Sequence, residues 1–520
     1  MTAKTRYDVL SSDRSQFLRV AEDAAKLTIP YLIHQDDNSK THRKLVTPWQ
    51  GVGAKGVVTL ASKLMLALLP PQTSFFKLQV DDTMLGEIGP EIKSELDLSF
   101  AKIERTILES IAASDDRVVV HQALKHLVVA GNALIYMGKE GLKLYPLNRY
   151  VVDRDGDGNV IEIVTKESIS KKIIEELVPD LNKGGVTQYN DDDTNDCEVY
   201  THVKVDGKRV NWHQEVYDLI IPKSQGKAPL NATPWLPLRF NTVDGEGYGR
   251  GRVEEFIGDL KSLEALSQAL VEGSAAAAKV VFTVSPSSST KPATLAKAGN
   301  GAIVQGRPDD IGVVQVGKTA DFATAAQMIQ QLEKRLSDAF LILSVRQSER
   351  TTAEEVRMTQ MELEQQLGGL FSLLTVEFLV PYLDRKLSVM QKSGSIPRIP
   401  KDIVKPTIVA GINALGRGQD RESLTMFMQT IAQTVGPEAM MQFINPDEVI
   451  KRLAAASGID VLNLVKSMQE IQGQQQQQME QQMMMQEQQN APAMAAVDQK
   501  QAQAEMQMAM QAQQQEQPLG

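Results

Sequence analysis

The chain is poor in the residues that build several classes of protein. A single cysteine among 520 residues excludes a disulfide-built scaffold and any metal cluster held by several cysteines. The longest apolar run, residues 127–137, is interrupted by Gly131 and Asn132 and is too short to cross a bilayer, so we expect no membrane partner. Residues 1–16 are polar, and we therefore expect no secretory signal.

The chain also lacks an excess of basic residues. It has 55 Lys and Arg against 65 Asp and Glu, a formal net charge of −10. A protein that holds nucleic acid tightly neutralises many phosphates with a basic face. The composition therefore argues against tight, global DNA binding, but it allows a surface past which DNA moves without sticking.

What remains is typical of a large soluble protein, with 42% hydrophobic and 23% charged residues. The length corresponds to about three domains. Apolar spacing and turn residues predict an early helical part followed by β-hairpins, because Asp-Gly and Gly-Asn pairs separate short β runs. The helices are expected over residues 13–32, 52–69, 91–113 and 118–137, and the β runs over residues 142–165, 198–205 and 210–217.

Two amphipathic helices follow, over residues 253–279 and 322–343, on either side of an insert rich in Ser, Pro and Gly. The insert contains β runs at residues 302–305 and 312–316. A third helix is expected from the capping-box pattern at Thr352 to about residue 390, with kinks at Gly368-Gly369 and Pro381. Residues 401–472 are expected to form a small helical domain, and the Gln/Met-rich residues 473–520 to be disordered. The fold class is α+β, mainly helical.

The sharpest motif match is a Walker A pattern with Gly312, Gly317, Lys318 and Thr319. Two acidic residues precede it, three of its intervening residues are valines that favour an extended strand, and no apolar strand ends downstream in a Walker B aspartate. We interpret the match as fortuitous, a strand leading into the next helix with Lys318 solvated. A nucleotide-driven packaging motor that uses these residues is the alternative.

Other motifs have weaker contexts. The G-x-G-x-x-G match at residues 51–56 does not follow a strand and indicates a tight loop entering a helix. Asp153, Asp155 and Asp157 resemble the start of a calcium loop, but position twelve is Val164 rather than Glu, so we predict a hairpin turn.

The sequence offers no catalytic constellation. His121 and His126 are five residues apart, on different faces of a helix, and Cys197 lies between acidic neighbours in what we interpret as a polar loop. No nucleophile–base arrangement is visible. We therefore expect no enzyme, no cofactor, no metal site and no catalytic residue.

Several collinear segments resemble the portal (head-to-tail connector) proteins of short-tailed bacteriophages, over roughly residues 10–470. The segments are TPWQGVGAKGVVTLASKLMLAL (47–68), ALKHLVVAGNALIYM (123–137), LYPLNRYVVDRDGDGNV (144–160), DGEGYGRGRVEEFIGDLKSLE (244–264), GRPDDI (306–311), RTTAEEVRMTQMELEQQLGGLFSLL (350–374) and GINALGRGQD (411–420). Each segment alone is a weak signal, but their order along the chain is strong.

The resemblance implies the portal fold, a ring of about twelve identical subunits around a channel for double-stranded DNA. Its function would be to nucleate head assembly at one capsid vertex, conduct the genome during packaging and ejection, and reside in the virion after assembly in the host cytoplasm. Implied partners are the terminase large subunit, tail adaptor and tail tube proteins, major capsid and scaffolding proteins, and internal core proteins. The implied parts are a wing (1–249), first stem helix (250–280), clip (281–320), second stem helix (321–343), channel loop (344–351), kinked wing helix (352–400), crown (401–472) and tail (473–520).

The cations at the narrowest part of such a channel are the candidate DNA-contacting residues. Arg346 and Arg350 lie in the implied channel loop, with Lys334 and Arg335 on the second stem helix as weaker choices. The alternative for all four is a solvated charge or an ion pair between subunits. A structural capsid or scaffold component without a channel is the remaining alternative function.

Overall fold

The computed structural model describes residues 1–34, 45–71, 75–80, 90–170, 172–174, 178, 196–277, 281–299, 302–314, 319–342, 369–397, 404–408, 416–434, 500–510 and a few positions between 436 and 453. Its α-helices are α1 (Ala3–Lys26), α2 (Val52–Leu68), α3 (Pro90–Ala112), α4 (Asp116–Ala130), α5 (Arg252–Glu255), α6 (Ile257–Ala277), α7 (Pro292–Lys297), α8 (Thr319–Ala339), α9 (Leu370–Leu374), α10 (Val380–Ser393) and α11 (Gly416–Thr434). A π-helical turn, Thr375–Leu379, joins α9 to α10. None of the helices in the described ranges is long and apolar enough to cross a membrane.

The strands form four antiparallel sheets. They are β1 (Phe76–Val80), β2 (Asn132–Met137), β3 (Leu142–Tyr145), β4 (Tyr150–Arg154), β5 (Val160–Ser170), β6 (Asp196–Asp206), β7 (Arg209–Val216), β8 (Leu219–Ile220), β9 (Gly226–Pro229), β10 (Trp235–Arg239), β11 (Val281–Val284), β12 (Ile311–Val314) and β13 (Val404–Ile408). The largest sheet has the order β4-β5-β6-β7-β8, with β9 also on β7. The smaller sheets are β10-β2-β3, β11-β12 and β1-β13.

The chain divides into two compact units, which we describe separately. The first contains residues 1–88 and 99–416 and holds every sheet. The second contains residues 89–98 and 417–520, with the start of α3, nearly all of α11 and an exposed helix over residues 500–510.

Helix α1 packs on the large sheet of the first unit. Its Ala3, Tyr7 and Leu10 form a buried cluster with Val151, Val164 and Tyr200 from three strands. The Thr2 hydroxyl caps the helix by accepting the Thr5 amide at 3.4 Å. The predicted hairpins are confirmed, because β4 pairs with β5 and β6 with β7. The β6–β7 turn has Gly207 at φ +54°, a conformation that glycine adopts without steric cost.

The predicted helix over residues 118–137 is wrong in its second half. Helix α4 ends at Ala130, Gly131 takes a left-handed conformation (φ +71°), and residues 132–137 form β2. A side chain at Gly131 would clash with the backbone of Arg250, so only glycine allows this close approach. The Asn132 side chain then fixes the chain by donating to the Gly249 carbonyl at 2.6 Å and accepting the Gly249 amide at 2.8 Å.

Other boundaries also differ from the sequence expectation. Helix α1 covers Ala3–Lys26 rather than residues 13–32. Residues 302–305 are not a strand, and the partner of β12 is β11, which the sequence analysis missed. Residues 404–408, inside the segment expected to be helical, form β13 on β1.

Helix α10 and the preceding π-turn correspond to the end of the predicted long helix. Residues 343–368, which contain the first part of that prediction, lie outside the described residues. The π-turn comes directly before Pro381, which sits at the first turn of α10, where a missing N–H is tolerated. Its Phe378 and Leu379 are buried, as are Tyr382 and Leu383 of α10.

Candidate functional site: the helix pair and the predicted channel

Helices α6 and α8, which contain most of the predicted stem, form an antiparallel pair. The Phe256 and Phe340 rings lie 6.0 Å apart, Arg335 Nε lies 3.0 Å from Asp259 Oδ2, and a Cβ at Gly273 would lie 2.8 Å from the Phe322 ring. Residue numbers therefore fall along α8 as they rise along α6. The two chain segments between the helices pair as β11 and β12, so the insert begins where the helix pair ends.

The apolar stripe of this pair is buried at one end and open at the other. Leu260 and Leu263 of α6 are fully buried, as are Leu336 and Phe340 at the end of the second helix. Towards the β11–β12 end, the stripe opens to solvent. Val271 is 52% exposed and Met328 is 49% exposed. One chain alone therefore leaves apolar side chains uncovered on the part of the pair nearest the insert.

The buried end is fixed to helix α2. The Phe340 ring packs so closely on Gly56 that a Cβ there would lie 2.7 Å from it. The Glu264 carboxylate accepts the Trp49 amide at 2.9 Å and the Gln50 amide at 3.4 Å, just before α2 begins. A carboxylate at this position is favoured by the positive end of the helix dipole. The glycine-rich match at residues 51–56 is therefore the N-cap and first turn of a closely packed helix, whereas the sequence indicated a tight loop entering that helix.

The four candidate channel cations separate into two groups. Arg346 and Arg350 lie outside the described residues. Arg335 pairs with Asp259 across the helix pair, although its side chain is still 61% exposed. Lys334 is exposed and makes no ion pair within the described part of the chain. Arg335 thus has an ion-pair partner within its own chain, whereas Lys334 has none among the described residues.

The Walker A match has a different context from a phosphate-binding loop. Gly312 lies in β12, opposite Thr283 of β11 in a two-stranded antiparallel sheet, and the Thr283 hydroxyl donates to the Gly312 carbonyl at 3.1 Å. A phosphate-binding loop follows a buried strand and leads into a helix with its amides around the phosphates. Thr319 does begin α8, whereas Gly317 and Lys318 lie outside the described residues.

The calcium-like loop is a hydrogen-bonded turn. Asp155 accepts the Asp157 amide at 3.1 Å and the Asn159 amide at 2.7 Å, and the hydrogen bonds from Asn159 lower the pKa of the Asp155 carboxyl. The predicted hairpin turn is confirmed by the pairing of β4 with β5. Within the described ranges, no three His, Cys, Asp or Glu side chains are grouped so as to hold a metal ion.

The contacts of Cys197 and of the two helical histidines are typical of residues with a structural role. Cys197 is not in a loop, as the sequence suggested, but in β6, where it is buried and accepts the Tyr217 hydroxyl at 3.0 Å. His121 lies beside the Ser62 hydroxyl at 3.3 Å. His126 is buried, and desolvation lowers its pKa to about 4, so its ring is neutral at pH 7.

Two buried polar clusters fix helix α10 and were missed by the sequence analysis. Glu377 in the π-turn accepts two guanidinium N–H groups of Arg239, at 2.8 and 2.6 Å, and also the Arg239 amide at 2.8 Å. Asp116 at the start of α4 accepts the Tyr382 hydroxyl at 2.6 Å and pairs with Lys386 at 2.7 Å. The partners are far apart in the chain, so no local spacing pattern indicates them.

The amino-acid sequence also resembles known proteins along most of its length. A family model described as bacteriophage head to tail connecting protein matches residues 1–465. The chain belongs to this family. The connector is 40% identical over 483 residues to the portal protein of Enterobacteria phage T3, covering 90% of this chain and 89% of the relative. It is 38% identical, with the same coverage, to the portal protein of Escherichia phage T7. The resemblance inferred from the collinear segments is thereby confirmed.

Solved structures resemble the connector more distantly. The neck of an empty gene transfer agent (GTA) particle has 13% sequence identity and a TM-score of 0.36, covering 79% of the connector and 90% of that chain. A similarity at this level has no bearing on the residues of the site. The family assignment rests on the sequence matches alone.

Proposed function

We propose that the connector forms a ring of about twelve copies at one capsid vertex of the virion and conducts double-stranded DNA through its centre. The observation that carries the proposal is the 40% identity to a portal protein over nine-tenths of the chain. In the ring, the α6–α8 pair is the stem, the insert with β11 and β12 is the clip, and residues 344–351 form the channel loop. Residues 1–249 and the helix expected over residues 352–400 form the wing, and residues 401–472 contribute the crown.

The open end of the stem pair supports assembly with further copies. Val271 and Met328 are large apolar side chains that remain half-exposed in one chain. In a ring, the equivalent helices of adjacent subunits would cover these side chains. Negative-stain images or native mass spectrometry of the purified connector should show rings of about twelve subunits. A stable monomer at working concentrations would contradict the proposal.

The proposal gives Arg346 and Arg350 the role of contacting phosphates in the channel. The double variant Arg346→Ala/Arg350→Ala should assemble normally but change the length of packaged DNA or its retention in filled heads. The matched variant Lys55→Ala/Lys102→Ala removes two exposed cations from helices α2 and α3 and should leave both quantities unchanged. A capsid or scaffold component without a channel predicts no effect of either variant.

The proposed ring interacts with the terminase large subunit during packaging, and with tail adaptor and tail tube proteins afterwards. Capsid, scaffolding and internal core proteins are the further partners, with the assembling ring in the host cytoplasm. A nucleotide-driven motor is disfavoured because β12, which contains Gly312, is one strand of an isolated antiparallel pair. Nucleotide binding that disappears in Lys318→Ala would restore that alternative.

A further inference from the structure

The turn end of the large sheet carries a group of exposed cations, which we call the β6–β7 patch. It consists of Lys204 in β6, Lys208 in the turn, Arg209 in β7 and Lys227 in β9, all of them exposed. None makes an ion pair within the described part of the chain. By contrast, Arg6, Arg239, Arg250 and Arg252 are all paired with carboxylates.

The strand register places three of these cations on one face. Lys204 is opposite Asn211, and Asn211 is opposite Lys227, so the three residues form one row across β6, β7 and β9. Arg209 lies two residues from Asn211 along the same strand, and side chains two apart share a face. Neighbouring strands are about 5 Å apart and residues two apart about 7 Å, so the cations lie within about 10 Å of one another.

Few negative charges face this group. Glu162 is the next residue in the row, opposite Lys204, but it is buried and already binds Arg6 and His202. Asp206 lies opposite Arg209 without an ion pair between them. Four cations and the Asp206 carboxylate give the patch a charge of about +3, and the adjoining Arg6, Asp153 and Glu162 group lowers the local charge to about +2. The net charge of the whole chain is −10.

Helix α1 leaves this part of the face open. Its first turn contacts the sheet at Glu215, farther from the turn, where the carboxylate accepts the Ala3 amide at 2.7 Å. It also contacts Glu162 at the β5 end of the row, where Arg6 pairs at 2.6 Å. Lys204, Asn211 and Lys227 stay exposed. The large apolar groups of the same strands, such as Val210 and Ala228, are buried on the opposite side. The exposed face near the turn is therefore polar and cationic, without an apolar centre.

We infer that the β6–β7 patch binds the phosphate backbone of double-stranded DNA without sequence preference, at a surface separate from the proposed channel. Protein interfaces are enriched in aromatic residues and depleted in lysine at their centres, which this face is not. Lys, Arg and Asn side chains are typical donors to phosphate oxygens. The inference goes beyond the proposed function, because it concerns the outer sheet and requires neither a ring nor Arg346 and Arg350.

The test uses the full-length protein and closed circular duplex DNA, which cannot thread a preformed ring. The affinity of the protein for the circular DNA is measured as a function of salt concentration. The wild type is compared with the variant Lys204→Gln/Lys208→Gln/Arg209→Gln/Lys227→Gln. The slope of log affinity against log salt should fall by about 1 for each cation that contacts a phosphate. If the fourfold variant fails to fold, the single change Lys227→Glu provides the same test.

The control has the same net charge change at scattered positions. Lys55→Gln/Lys102→Gln/Lys139→Gln/Lys392→Gln removes four exposed cations from separate places, and it should retain the circle as the wild type does. The inference would be overturned if both fourfold variants lost affinity for the circular DNA equally, or if the wild type did not bind it. Competition by poly-glutamate at lower concentration than by DNA would instead assign the patch to an acidic protein. Absence of rings would contradict the proposed function and leave this result intact.

Discussion

Individual side chains in the first unit hold distant segments together through buried charge. Glu377 and Arg239 are each only 12% exposed, and three hydrogen bonds join them. The Glu377 carboxylate therefore joins the π-turn to β10. Removing one partner leaves the other charge buried and unpaired.

The variant Glu377→Ala should therefore lower the free energy of unfolding by about 3–5 kcal/mol, the usual cost of breaking a buried pair. Thermal unfolding followed by calorimetry measures the change. The exposed pair Arg105–Glu109 supplies the control, since Glu109→Ala should cost less than about 1 kcal/mol. Equal effects of the two variants would show that the Arg239 pair is not specially stabilising.

His126 makes stability depend on pH. Burial lowers its pKa to about 4 from the ordinary 6.5, so the unfolded chain binds a proton that the folded chain does not as pH falls below 6.5. The free energy of unfolding should decrease by about 2 kcal/mol between pH 7 and pH 5 through this group. In His126→Leu this contribution is absent. The melting temperature of the variant, relative to that of the wild type, should therefore rise as pH falls.

His121 provides the comparison for that measurement. It lies on the same helix but is only half-buried, and burial lowers its pKa. Since His126 is fully buried, His121→Leu should leave most of the acid-induced loss in place. A pH profile of His126→Leu parallel to that of the wild type would contradict the assignment.

At the scale of elements, the α6–α8 pair is packed against a glycine of α2. Gly56 lies against the fully buried Phe340 ring, so that a Cβ there would require the ring or α2 to move. Gly56→Ala should lower the free energy of unfolding by about 1–3 kcal/mol, as overpacking of a core does. A melting temperature equal to the wild type's would show that α2 shifts without cost.

The control for this variant lies on helix α6. A Cβ at Gly258 meets nothing within 4 Å, so Gly258→Ala should raise the free energy of unfolding by about 0.5–1 kcal/mol through helix propensity. Thermal unfolding of both variants separates packing from propensity.

The elements also show which parts of the fold can be predicted from sequence. The hairpins and helices α6 and α8 follow local patterns, namely turn residues between β runs and apolar residues at helical spacing. The end of α4 at Gly131 does not, because the reason for that glycine is the backbone of Arg250, more than a hundred residues later. For the same reason Glu377, Asp116 and Glu264 could not be identified, since each has its partner in a distant segment.

At the scale of the whole molecule, the end of the α6–α8 pair nearest the insert leaves apolar side chains exposed in one chain. Val271→Asp/Met328→Asp places charges on the two exposed apolar positions. The variant should shift the particle mass from rings to smaller species, because burying an unpaired charge between subunits is costly. Mass photometry measures the distribution. Rings in wild-type amount would show that these side chains do not lie between subunits.

The candidate channel residues could be predicted only from the family resemblance, and not from local sequence patterns. Arg335 proved to pair with Asp259 in the same chain, a partner about eighty positions earlier that no periodicity indicates. Lys334 has no such partner in the described part of the chain. Arg346 and Arg350 remain predictions, and the packaging variants above test them.

The burial of Cys197 has a practical consequence for studying so large an assembly. The native thiol is enclosed in β6 and faces the Tyr217 hydroxyl, so maleimide reagents should react slowly with it. A cysteine introduced at an exposed position such as Lys139 would then accept a fluorophore selectively, with no need to remove the native residue. Single-molecule distance measurements on working particles become possible with a single substitution.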